Sequence, residues 1–186
     1  TTIYVFRHRR SFAPFNLQLN GRSAELAGYF LHRPFGNYIA VNADVSRASA
    51  VVFHEYVHYL TATNLGELPV WIAEGLAEFY ETFRVLGNEV FIGLPDRNHL
   101  ARLRGTLPIE LDELLLVDHD SPLYNEDDRR TDLYAESWAV THYLLLGSAE
   151  RRGQLERYLR SIRDGVPYGE AFETAFGPDT AALHKE

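Results

Sequence analysis

The stretch that most constrains the fold of this chain is His54-Glu55-Tyr56-Val57-His58. Residues four apart on an α-helix lie one turn apart on nearly the same face, so a helix would place both imidazoles beside one ion. Apolar residues on several faces around the motif predict that the helix spans residues 46–64 and is largely buried. The motif therefore predicts a rigid helix that presents two metal ligands on one face. The Glu55 carboxylate is expected beside that face of the helix.

A second helix is predicted shortly after the first one. Pro69 opens it, because the first helical position needs no N–H. Glu74 lies in an otherwise apolar part of this helix, where a buried carboxylate needs a partner. Two histidines and one glutamate make a catalytic zinc set that leaves one position for water, so Glu74 is the predicted third ligand. The competing set, with a third histidine, would need Gly at 61 and His at 64, but the chain has Thr61 and Asn64.

With these motifs the chain resembles the gluzincins, specifically the peptidase MA-like family, which pairs His-Glu-x-x-His with a downstream Trp-x-x-Glu-Gly-x-Ala-Glu. The matching residues are His54, Glu55, His58, Trp71, Glu74, Gly75, Ala77 and Glu78. The resemblance implies a zincin-like metalloprotease fold, with zinc bound by His54, His58 and Glu74. It also implies that Glu55 is the general base that activates a water whose pKa the zinc has lowered.

Two neighbours of Glu74 are predicted to support the site. Glu78 lies one turn further along the helix, where its carboxylate could accept the outer N–H of a ligand histidine and fix the ring's orientation. Glu81 shares that face but lies two turns from Glu74, and is the less favoured candidate for the same role. Gly75 costs helix stability, so we expect it to permit close helix packing beside the ion.

The segment Tyr134–Leu144 resembles the C-terminal helix of the same family, on which a tyrosine faces the metal. This implies that Tyr134 donates a hydrogen bond to the oxyanion that forms when water adds to a carbonyl. Tyr134 and Trp138 also form an i, i+4 aromatic pair, so a role in the core stays open, and His142 is a second candidate donor. The remaining histidines lack metal-ligand spacing with any partner, and none is assigned a role. They are His8, His32, His99, His119 and His184.

Strand patterns precede helical patterns along the chain, and this order predicts an α+β fold. Three strands, at Thr2–His8, Gly28–His32 and Tyr38–Asn42, are expected to form a small N-terminal sheet. We expect a single catalytic domain over residues 1–186, with the sheet and the metal helices in about 1–95 and a helical C-terminal lobe in about 96–186.

The C-terminal part is predicted to be mostly helical. The predicted helix at 46–64, which carries His54 and His58, is called the metal helix. Beyond it, helices are expected from Pro69 to about Phe83, at about 97–104 and 111–117, from Leu133 to Leu146 and from Gln154 to Arg163, with a hairpin at Gly87-Asn88. The stretch Asp118–Asp132 is expected to be an unusually long loop. It could border the cleft or be an ordinary surface connection.

Composition excludes several classes of protein. A formal net charge of −8 without a Lys/Arg-rich run argues against nucleic-acid binding, and the absence of Cys excludes disulfides and thiolate zinc sites. No apolar run approaches the roughly 18 residues that a membrane span requires.

The chain has no Met, even at position 1, which suggests a segment of a longer protein with further domains. A removed signal peptide would also explain this, so the compartment is unknown, and an exported or periplasmic location stays open.

The expected activity is hydrolysis of a peptide or protein substrate with zinc as cofactor. In zincin-like folds, the strand at the position of Tyr38–Asn42 binds extended substrate at its edge. Aminopeptidases of the aminopeptidase N type carry there a Gly-x-Met-Glu-Asn strand whose Glu binds the substrate amine. The segment Gly36–Asn42 has no acid, so an endopeptidase is favoured. The alternative is a zincin-like interaction module that cleaves nothing, although such a module has no use for Glu55.

Overall fold

The computed structural model describes residues 1–16, 26–45 and 48–185, and in addition the backbone of two short strands at 18–19 and 22–23. Within these residues the chain is α+β, with a small N-terminal sheet, the helix that carries His-Glu-x-x-His, and a mostly helical remainder. This order confirms the predicted α+β class. Residues 46 and 47, where the metal helix was predicted to begin, lie outside the described residues.

Three strands form the main sheet. The strands within the described residues are β1 (Thr2–Phe6), β2 (Gln18–Leu19), β3 (Arg22–Ser23), β4 (Gly28–Arg33), β5 (Gly36–Asn42), β6 (Arg84–Leu86) and β7 (Glu89–Phe91). The order in the main sheet is β1-β5-β4, with β5 parallel to β1 and antiparallel to β4. In this register Ile39 lies opposite both Ile3 and Phe30. The remaining strands form two short hairpins, β2-β3 and β6-β7, the second at the predicted Gly87-Asn88 turn.

The sheet order corrects one expectation about substrate binding. Tyr38–Asn42 belongs to β5, and both edges of β5 are paired, so this strand has no edge to offer. The expectation is wrong because strand order depends on long-range pairing rather than on position before the metal helix. Among the described strands, β4 has an unpaired outer edge next to the metal helix, which packs against β4 and β5.

Helices make up most of the rest of the molecule. They are α1 (Arg9–Phe12), followed by a 3-10 turn (Ala13–Phe15), α2 (Ala48–Asn64), α3 (Val70–Glu81), α4 (Arg97–Gly105), α5 (Leu111–Leu115), α6 (Pro122–Asn125), α7 (Asp127–Leu146), α8 (Ala149–Arg163), α9 (Tyr168–Phe176) and α10 (Thr180–His184). No helix within the described ranges has the length and apolar character needed to cross a bilayer.

Helix α3 lies at the centre of the helical part. It packs against α2 on one side and α7 on the other, and nine of its twelve residues are buried. Trp71 of α3 is fully buried, stacks on Tyr158 of α8 at 5.9 Å between ring centroids, and meets the edge of Phe172 of α9. Aromatic burial of this kind stabilises the fold strongly and holds α3 in one place. Any side chain that α3 presents to α2 is therefore rigidly positioned.

The stretch Asp118–Asp132 is more ordered than predicted. It contains α6 and the first turn and a half of α7, so the prediction of one long loop is wrong. The segment from Asp127 to Asp132 is rich in charge and lacks an apolar repeat, which hid the start of α7. Two acids, Asp127 and Asp128, occupy the first turn of α7, where the helix dipole favours negative charge. Pro122 opens α6 at a position that needs no N–H.

Candidate metal centre

Three predicted ligands converge between α2 and α3. His54 and His58 lie one turn apart on α2, and their Nε2 atoms are 3.1 Å from each other. The Oε2 atom of Glu74, on α3, lies 3.4 Å from Nε2 of His54 and 3.5 Å from Nε2 of His58. The three donor atoms thus form a nearly equilateral triangle.

The donor set fits a zinc ion on two grounds. Donors at about 2.0–2.1 Å from tetrahedral zinc are about 3.3–3.4 Å from one another, close to the distances between these three atoms. In addition, Oε2 of Glu74 is buried and has no hydrogen-bond partner among the described residues. An unpartnered buried carboxylate oxygen is costly, and a cation between it and the imidazoles would remove that cost. His54, His58 and Glu74 are therefore the residues that could hold the metal.

The electrostatics of the cluster favour positive charge at the centre. Glu74 is 4% exposed. Burial on its own raises the pKa of Glu74, but the two histidines outweigh it and hold the pKa far below the ordinary value. Burial lowers the pKa of His54, while the carboxylates of Glu74 and Glu78 more than reverse that and raise it well above the ordinary value. Both shifts show that positive charge beside these buried carboxylates is favourable.

Glu55 lies beside the three ligands without joining them. It is 9% exposed and lines the same cavity as His54, His58 and Glu74. Burial raises the pKa of Glu55, partly opposed by the two histidines and by a backbone hydrogen bond from Phe30 of β4. A carboxylate with a raised pKa is a better proton acceptor, so the environment suits a general base.

Glu78 contacts the outer nitrogen of His54, as predicted from its spacing. Its Oε1 atom lies 3.3 Å from Nδ1 of His54, whose Nε2 faces Glu74. The other oxygen, Oε2, lies 2.7 Å from Nε2 of His99 on α4. His99 was assigned no role from the sequence, because its contact with Glu78 spans 21 residues and joins two helices. Glu81 also lies close to Glu78 and His54, but it is not part of the three-donor triangle.

Tyr134 lies at the candidate metal centre and His142 does not. The ring of Tyr134, on α7, is 6.2 Å from the ring of His54 and lines the same cavity. Burial raises the pKa of Tyr134, and the negative charge of Glu74 raises it further, so its hydroxyl stays protonated and able to donate. His142 is directed elsewhere, since its Nε2 lies 3.1 Å from the carbonyl oxygen of Gly93.

The cavity at the centre is an open cleft of about 450 Å³. The ligands, Glu55 and Tyr134 line one part of it, and Gly28, Tyr29 and Phe30 of β4 line another. The segment predicted as a long loop borders it as well, through His119, Tyr124 and Arg130, which sequence reasoning did not select. No local pattern marks these three residues, because the fold alone brings them to the cleft. A second cavity of about 780 Å³ shares Glu67, Leu68 and His119 with the first.

Comparisons with known proteins give a family but no described activity. Residues 48–168 match the family described as "Protein of unknown function (DUF1570)". No curated protein and no solved structure matches the chain. The matched residues cover more than half of the chain and include the three ligands, Glu55, Glu78, His99 and Tyr134. The chain belongs to the DUF1570 family.

Proposed function

We propose that this protein is a zinc-dependent peptide hydrolase of the gluzincin type with a zincin-like fold. The observation that carries the proposal is the triangle formed by the two Nε2 atoms and the unpartnered Oε2 of Glu74, with sides of 3.1, 3.4 and 3.5 Å. A carboxylate that is not part of the triangle, Glu55, lies beside it. This combination of a metal site and an adjacent base is what hydrolysis requires.

The residues of the chain divide the chemistry among them. When bound, zinc would supply a Lewis acid that polarises a carbonyl and lowers the pKa of a water molecule. Glu55 takes the proton from the attacking water and returns it to the leaving amine. The hydroxyl of Tyr134 donates a hydrogen bond to the oxygen on which negative charge develops. Glu78 holds His54 by its outer nitrogen throughout.

The outer edge of β4 is the surface that we propose for an extended substrate. This strand lines the cleft and has no partner on that side among the described strands. An extended peptide could add to it through backbone hydrogen bonds, a mode that fixes the chain's direction without demanding particular side chains. The strand contains no acid that could hold a substrate amine, so endopeptidase action remains the favoured form.

Glu55→Gln tests the proposal directly. The variant keeps the size of the side chain and removes the proton acceptor, so zinc content and thermal stability should match the wild type. Hydrolysis of an unbiased peptide library, followed by mass spectrometry, should fall by about 10²–10⁴-fold, the range that a general base contributes. Glu67→Gln is the matched control, because Glu67 is exposed on the wall of the same cleft and outside the ligand triangle. It should cleave like the wild type.

The same assay separates the rival interpretations. If wild type binds zinc but cleaves no better than Glu55→Gln, the protein is a zincin-like interaction module. If protein is purified without added metal and takes up no zinc when zinc is then supplied, the proposed metal centre is refuted. Pairs of peptides with blocked and free N-termini decide the form of action, since cleavage confined to free amines would make the enzyme an aminopeptidase.

A further inference from the structure

A third imidazole lies next to the centre without reaching the ligand triangle. His99 belongs to α4 and contacts one carboxylate oxygen of Glu78, while His54 contacts the other oxygen. The one carboxylate of Glu78 thus contacts two imidazoles, at 3.3 Å through Oε1 and at 2.7 Å through Oε2. The shorter of the two contacts is the one to His99. The inference drawn from this chain of contacts rests on the proposed metal centre.

Glu78 needs its second contact in order to keep its place. The side chain is 6% exposed, so water cannot satisfy an oxygen that has lost its partner. With both oxygens engaged, rotation of the carboxylate would break a buried hydrogen bond. Without His99, Oε2 would be left without this partner, and the carboxylate could turn away from Nδ1 of His54. The orientation of the ligand ring therefore depends on a residue that does not touch it.

His99 is itself held firmly. Its ring stacks on Trp138 of α7, with centroids 5.5 Å apart and an interplanar angle of 30°. Asp96 caps the start of α4, accepting hydrogen bonds from the backbone N–H groups of Asn98 and His99 at 2.7 and 3.3 Å. Helix α4 in turn packs against α7. The ring has little freedom to move, which is what a positioning residue requires.

We propose that His99 is a positioning residue of the zinc centre, which fixes the Glu78 carboxylate so that Glu78 holds His54 in the ligating orientation. Partners of this outer kind typically contribute about 10–100-fold in metal affinity. The expected consequence is tighter zinc binding by the folded protein. His99 takes no part in the chemistry, and its effect reaches the metal only through Glu78 and His54.

Zinc affinity measured by competition with a chromogenic chelator tests this role without any substrate. His99→Phe keeps an aromatic ring against Trp138 and removes the N–H, so the dissociation constant for zinc should rise about 10–100-fold. His99→Gln, whose amide N–H can still donate to Glu78, should recover most of the loss. His142→Phe is the matched control, because His142 packs on the same Trp138 at 5.0 Å and is directed to Gly93 rather than to Glu78. It should bind zinc within about twofold of the wild type.

A double-variant cycle adds a readout that a purely structural role would not give. In a Glu78→Gln background, His99→Phe should weaken zinc binding little further, because residues that act through one another are not additive. Wild-type affinity in folded His99→Phe would overturn the inference, and so would equal losses in His99→Phe and His142→Phe. A wild type that binds no zinc would instead refute the proposed metal centre, so the two failures are distinguishable.

Discussion

Three carboxylates lie within one small region, and their surroundings give them different properties. Glu74 faces two imidazoles, which hold its pKa far below the ordinary value. Burial raises the pKa of Glu55, and the two histidines offset that rise only in part. Glu78 is buried too, but hydrogen bonds from His54 and His99 lower its pKa. The residue with the raised pKa is the one that needs to accept a proton, which agrees with its proposed role as base.

Tyr134→Phe separates a catalytic hydroxyl from a core aromatic. The variant keeps the ring against His54 and removes only the donor, so zinc affinity and stability should change little. If the hydroxyl stabilises the oxyanion, kcat should fall about 10²–10³-fold with KM nearly unchanged. Steady-state kinetics on a peptide that the wild type cleaves would measure both constants.

Tyr124→Phe is the comparison for that experiment. Tyr124 lines the same cleft and lies near enough to Tyr134 for each tyrosine to influence the pKa of the other. Removing its hydroxyl should cost less than tenfold in kcat, since it would act only by orienting Tyr134 (about 1 kcal/mol or less). A larger loss in Tyr124→Phe than in Tyr134→Phe would assign the donor to Tyr124 instead.

At the scale of the helices, Gly75 decides how closely α3 approaches α7. A methyl group added there would overlap the hydroxyl of Thr141 and the backbone carbonyl of Ser137. Backbone cannot move aside as the end of a flexible side chain can. The close approach holds Glu74, the residue before Gly75, at a fixed depth beside α2. This contact confirms that Gly75 permits close packing beside the centre.

Gly75→Ala should therefore destabilise the protein, although alanine is the better helix former. Overpacking of this kind costs about 1–3 kcal/mol, and the displaced α3 should also weaken zinc binding. Gly153→Ala is the matched control within α8, where the nearest atom to the added carbon is the end of Arg157 at 3.6 Å. That change should stabilise by about 0.5–1 kcal/mol. Urea unfolding of both variants measures the difference, and equal stabilities would show that α3 and α7 can separate at no cost.

Helices and strands could be predicted from the sequence where a few neighbouring residues mark them. The helix around His-Glu-x-x-His, the helix opened by Pro69 and the hairpin at Gly87-Asn88 were predicted correctly, because each has a marker within a few residues. The start of α7 at Asp127 was missed, because its helix-forming residues are charged rather than periodic. The position of β4 at an edge of the sheet was missed as well, since strand pairing is a long-range property.

The same distinction applies to the residues of the site. Spacing along one helix identified the two proposed ligand histidines, and a motif on the next helix identified Glu74 and Glu78. The structure places Glu74 and Glu78 beside His54. His99 could not be found in this way, because its partner Glu78 lies on another helix, 21 residues earlier in the chain. Tyr124 and Arg130 escaped notice for a further reason, since they lie in the stretch predicted as a loop.

For the molecule as a whole, the centre joins two parts of the fold. Helix α2 packs on the sheet through β4 and β5, whereas α3 packs on the helical part through α7. The three proposed ligands lie on both sides of this junction, two on α2 and one on α3. An ion bound there links the sheet side to the helical side. Zinc should therefore contribute to global stability in addition to any role in catalysis.

Removing the metal should lower the thermal midpoint of the whole protein in one cooperative step. Free zinc at 100 times its dissociation constant stabilises by about 2.7 kcal/mol, which corresponds to roughly 5–10 °C for a domain of this size. Scanning calorimetry with zinc and with a chelator would measure the shift. Glu55→Gln should show the same shift as wild type, because Glu55 is not a ligand, whereas Glu74→Gln should lose most of it. If zinc raised the midpoint of Glu74→Gln as much as that of the wild type, the ion would bind elsewhere, and the junction between α2 and α3 would not be its site.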